Sequence, residues 1–112
     1  TQIDYDREMA FVAVETLPEG GYRTVGVARL IRQPGSNEGE FAVVTLPGWK
    51  GQGLGRHLME RLFEWGREQG VETVVGQVLA DNTPMINFVR ALGFTLKRSA
   101  EDEEVLEARL KL

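Results

Sequence analysis

The chain has 112 residues, 42% hydrophobic and 27% charged, with a formal net charge of −4. That composition suits a single globular domain, residues 1–112, large enough to bury one core; the acidic balance argues against nucleic acid as main partner and suits a cationic one. There is no cysteine and His57 is the single histidine, which excludes disulfides, a cysteine nucleophile and thiolate or histidine-cluster metal sites, and fits the reducing cytoplasm. No apolar run reaches the ~20 residues of a membrane helix, and neither a signal peptide nor a membrane partner is expected.

Residues 1–8 are short and polar. Residues 9–15, rich in Val, Ala and Phe, predict a strand, and the Gly/Pro turn at 17–21 leads to a second at 24–32. A turn at 33–37 precedes a third strand at 39–46, so the first three form an antiparallel meander. Leu54, Leu58, Leu62 and Trp65, widened by Met59 and Phe63, predict an amphipathic helix that Gly70 stops. A strand at 72–80 follows and is expected to lie parallel to the third through a right-handed crossover. Thr83 as N-cap and Pro84 at the first helical position open a second helix, with Met85, Phe88, Val89 and Leu92 on its apolar stripe and Gly93 ending it. Strands at 94–98 and 106–112 flank the acidic turn 99–104. The order is β-β-β-α-β-α-β-β, an α/β fold with a mixed, mostly antiparallel sheet and two helices.

The chemistry is expected where the third strand meets the first helix. There, Gly51, Gly53 and Gly55 stand between Lys50 and the Arg56-His57 pair, and no acid occurs before Glu60. Glycines allow close backbone approach, and a helix N-terminus offers unpaired N–H groups and a positive dipole end, so the stretch suits a phosphate. The spacing G-x-G-x-G is not the dinucleotide fingerprint G-x-G-x-x-G, and no Lys-Ser/Thr pair follows as a P-loop requires.

The stretch Lys50-Gly51-Gln52-Gly53-Leu54-Gly55 resembles the acetyl-CoA loop [QR]-x-x-G-x-[GA] of the GNAT superfamily of N-acetyltransferases, with Lys50 in place of Gln/Arg. Asn82 and Leu92-Gly93-Phe94 stand where that family has an Asn opening its second helix and a Leu-Gly-Phe closing it. The resemblance implies a GNAT fold lacking its opening strand and helices, and acetyl-CoA as cosubstrate. It implies cofactor contacts from Val43, Val44, Thr45, Lys50, Gly51, Gln52, Gly53, Leu54, Gly55, Arg56 and Asn82, and from Met85 and Phe88, which could equally be core residues. A backbone N–H around residues 43–45 would hold the oxyanion. The tyrosine that many members use to protonate the leaving thiolate is absent, since Val89 stands seven positions after Asn82.

Residues 1–13 (Thr-Gln-Ile-Asp-Tyr-Asp-Arg-Glu-Met-Ala-Phe-Val-Ala), 38–44 and 53–60 narrow the likeness. They resemble bacterial protein lysine acetyltransferases of the Pat type, which act on acyl-CoA synthetases. The likeness implies Glu40 as the general base, with Glu38 on the same face as a fallback. A lysine with pKa ~10.4 needs such a base before it can attack. Glu40 could also be an ordinary outward-facing strand acid. Asp4, Asp6 and Glu8 would attract a basic peptide, while the 101–104 acids read as a solvated loop. Residues 9–15 would form an open edge that could pair with a second copy as a homodimer. Three other functions fit: acetylation of a small amine, a non-catalytic acyl-CoA-binding module, or a nucleotide binder.

Overall fold

A computed structural model describes residues 7–46, 48 and 53–112. The elements run β1 (Glu8–Thr16), β2 (Tyr22–Arg32), β3 (Glu38–Thr45), α1 (Leu54–Glu68), β4 (Thr73–Leu79), α2 (Thr83–Ala91), β5 (Thr95–Arg98) and β6 (Val105–Lys111). They form one six-stranded sheet in the order β1-β2-β3-β4-β6-β5. All neighbours are antiparallel except β3 and β4, which run parallel as a helical crossover requires. The predicted element order holds throughout.

Both helices cover the same face of the sheet. Leu58, Met59, Leu62, Phe63 and Trp65 of α1 and Val89 of α2 share one buried cluster with Ala28, Leu30, Phe41, Val74, Val78 and Ala108 of the strands. Strand residues alternate, so the intervening positions share the other face. That open face carries Val12, Val14, Ile31, Val44 and Leu79, all exposed.

Glycines end both helices as expected. Gly70 and Gly93 adopt left-handed φ of 84° and 100°, just beyond the caps Gln69 and Leu92. The start of α2 differs from expectation by one residue. The N-cap is Asn82, not Thr83: its side chain accepts a hydrogen bond from Met85 N at 3.2 Å. Both residue types cap well, and Pro84 at the first turn is compatible with either register. Asn82→Ala is therefore expected to lower stability by about 1 kcal/mol, measurable as a reduced urea midpoint with unchanged slope.

β3 and β4 are joined only at their beginnings. Their ladder covers Glu38–Thr73, Gly39–Val74 and Glu40–Val75, and beyond it the strands diverge. β3 continues to pair with β2 as far as Thr45, and β4 with β6 as far as Leu79. The sheet thus opens into a fork with Glu40 at its head.

Candidate active site

A cavity of about 470 Å³ occupies the fork on the helix side. Its walls are Val43, Val44 and Thr45 from β3, Gly53, Leu54, Gly55 and Arg56 from the start of α1, and Asn82, Pro84, Met85, Phe88, Ala91 and Leu92 from α2. Every described residue assigned to the cofactor from the sequence lines this cavity. Lys50, Gly51 and Gln52 lie outside the described residues, as do Asp4 and Asp6. Met85 and Phe88 line the cavity and also pack on the core, so the two readings of them are compatible. Pro84, Ala91 and Leu92 were not anticipated. For Ala91 and Leu92 the signal was present, because they follow Phe88 at the i+3 and i+4 spacing that shares a helix face.

The helix start is bare. Gly53 is the N-cap, with φ 78° and no side-chain cap, and the first turn holds no acid. Its leading N–H groups and dipole end therefore suit an anion, with no acid competing from the first turn. Arg56 adds a cation at the rim and is held by Glu60 across 3.0 Å on the exposed helix surface. Asn82 spends its carbonyl oxygen on the cap, which leaves its amide N–H₂ to donate. The remaining lining is mostly apolar. This volume and composition fit an elongated, mainly apolar arm with an anionic end.

The backbone adds a second set of groups. Between Phe41 and Thr45, β3 has β2 on one side and the fork on the other. Alternate backbone N–H and C=O groups of this limb point into the fork, where an extended ligand could complete them as a neighbouring strand would.

Glu40 is exposed on the open face. It lies in a row that crosses the sheet through Glu8, Ile31, Glu40, Val75 and Arg109. Glu8 and Glu40 thus stand about 10 Å apart, two strand spacings, on either side of Ile31. Three acids of this face, Glu8, Glu38 and Glu40, differ in their partners. Glu8 is ion-paired with Arg29, and Glu38 with Arg109 at 2.6 Å. Glu40 has no ion-pair partner among the described residues, and its polar neighbour is the Gln33 amide at 3.5 Å. Its oxygens are therefore the least engaged of the three. Val89 is fully buried, so the position seven after Asn82 presents no acid. Among the described residues no cluster of His, Asp or Glu could hold a metal ion.

A parallel fork in a mixed sheet, with a bare helix start at its mouth, defines an acyl-CoA N-acyltransferase fold. The chain belongs to the acetyltransferase (GNAT) family, whose model matches residues 1–94. It is 33% identical over 110 residues to Acetyltransferase PA5475 of Pseudomonas aeruginosa, covering 98% of this chain and 59% of that protein. The chain therefore spans about three fifths of that relative's length. Among solved structures it resembles the GNAT domain of S. lividans PAT, with TM-score 0.83 and 23% identity over 100% of this chain and 65% of that one. It also resembles yncA of Salmonella typhimurium, solved with its cofactor acetyl-CoA, with TM-score 0.67 and 25% identity over 80% of this chain and 58% of that one.

Proposed function

We propose that this chain transfers the acetyl group of acetyl-CoA to a lysine amine on a protein, an acyl-CoA synthetase being the expected acceptor, with Glu40 as general base. The observation that carries the reading is the place of Glu40. It is the last ladder residue before the fork in which the thioester arm would lie. Acetyl-CoA would supply the activated acyl group. The bare start of α1 and Arg56 would bind its phosphates, and Asn82 N–H₂ and the free limb of β3 its amide-bearing arm. A β3 N–H between residues 43 and 45 would take the charge that develops on the carbonyl oxygen. The lysine would approach from the open face, where Glu40 removes its proton before attack. Glu8 is engaged by Arg29, so Glu40 is the acid that would meet a basic acceptor. An acetyl-CoA-using enzyme without cysteine suits the cytoplasm.

The test is an acceptor screen with the purified chain. Acetyl-CoA is offered with an acyl-CoA synthetase or with polyamines, and free thiol and acetyl-lysine are followed. Transfer to the protein alone supports the reading; transfer to polyamines alone would make this a small-amine enzyme. Acetyl-CoA binding without turnover on either acceptor would leave a regulatory acyl-CoA-binding module.

Gly55 tests the cavity separately. A Cβ there would stand 3.2 Å from the Phe88 ring, and a branched side chain would project into the space between the two helices. Gly55→Val is expected to weaken acetyl-CoA binding about tenfold or more in calorimetry, a cost of roughly 1–3 kcal/mol for overpacking. The edge position of β1 supports pairing with a second copy. A chain that stays monomeric in sedimentation at high concentration would remove that proposal.

A further inference from the structure

The cavity does not extend to the head of the fork on the helix side. Its innermost β3 wall is Val43, and Phe41, the next residue facing the helices, is absent from the lining. Phe41 follows the last ladder pair directly and is buried. Its ring lies flush on β4 at Gly76, so close that a Cβ on Gly76 would stand only 2.3 Å from a ring carbon. The Phe94 ring packs behind it at a centroid distance of 5.1 Å, and Phe63 packs on Phe94 at 6.2 Å. Three rings thus plug the crotch of the fork, and the missing side chain of Gly76 is what lets the first of them seat there.

We propose that Phe41, seated on Gly76, sets the length of acyl group the enzyme accepts. This rests on the reading of the cavity as the acyl-CoA site. A thioester aimed at Glu40 must bring its acyl end to the head of the fork, beside residues 41–43. The helix side of that point is filled by the Phe41 ring, and the ring is backed by Phe94 and cannot retreat without disturbing the core. An acetyl methyl ends before the plug. Each further methylene must displace the ring or turn toward solvent. A methylene in a closed apolar pocket is worth roughly 10–200-fold in discrimination, so even one should be felt.

The experiment compares CoA, acetyl-CoA, propionyl-CoA and butyryl-CoA by calorimetric affinity, for the unaltered chain and for Phe41→Leu. Leucine keeps much of the volume but not the flat ring. Because Phe41 supports two other rings, Phe41→Met is run alongside, as a flexible filler that tolerates a well-packed core. The unaltered chain is expected to bind acetyl-CoA at least about tenfold tighter than butyryl-CoA. In either folded variant the ratio is expected to fall to within about threefold, with CoA itself bound as before. Equal affinity of the unaltered chain for all three thioesters, or an unchanged ratio in both variants, overturns the proposal and leaves the cofactor reading intact. No binding of CoA or any thioester overturns both.

Discussion

Glu40→Gln is expected to lower kcat by about 10²–10⁴-fold while acetyl-CoA affinity stays within about twofold. The amide keeps the shape of the side chain but cannot act as the proposed base. Glu40 does not line the cavity, so the cofactor's contacts are untouched. Steady-state turnover against acceptor, with calorimetry for acetyl-CoA, separates the two quantities. Glu38→Gln provides the contrast. The Glu38 carboxylate is occupied by Arg109, so its loss is expected to change the ion pair at the surface and turnover little. A Glu40→Gln enzyme that keeps full turnover, or a Glu38→Gln enzyme that loses it, would reassign the base.

The second large effect is on stability. Gly76→Val is expected to cost about 3 kcal/mol, the upper end of the range for overpacking a core. Three carbons of the Phe41 ring would lie 2.3, 2.7 and 2.9 Å from the new Cβ. The ring is hemmed in by Phe94 and by the backbone of the ladder, so either β3 and β4 move apart or the aromatic stack breaks. At roughly 4–8 °C per kcal/mol for a small domain, the melting temperature should drop by more than about 10 °C. In a double-mutant cycle, adding Phe41→Leu should recover part of that loss, because the two changes meet at one contact. Additive losses would mean that Gly76 matters for some reason other than the ring.

The order of elements was legible because local signals agreed with one another. The apolar spacing of α1, the glycines that end both helices and the Gly/Pro turns each pointed to the same boundaries. The cavity wall was legible as far as it is built from a short contiguous stretch and one turn of α2. What could not be read was what depends on residues far apart in the chain. Glu38 and Glu40 look alike in sequence; Arg109, 71 positions from Glu38, separates them. In sequence Gly76 is only a glycine within a strand, and the pairing of β3 with β4 is what reveals the ring lying on it. The faces of β1 were also hidden. Met9, Phe11 and Ala13 face α1 and Ala10, Val12 and Val14 do not, but both sets are apolar and alternation gives no direction. The cap at Asn82 was missed because adjacent Asp81, Asn82 and Thr83 all have the chemistry to cap.

The short ladder between β3 and β4 has a mechanical consequence. It rivets together two three-stranded panels, β1-β2-β3 and β4-β6-β5, by a seam that ends at Glu40. A molecule wedged beyond the seam braces one panel against the other. Binding there should therefore slow amide exchange across β4 and β6 as well as at the cavity wall, and raise the melting point in step with ligand concentration. On the proposed reading the ligand would be a structural strut as well as a reactant, and the two panels would be held least firmly once product leaves.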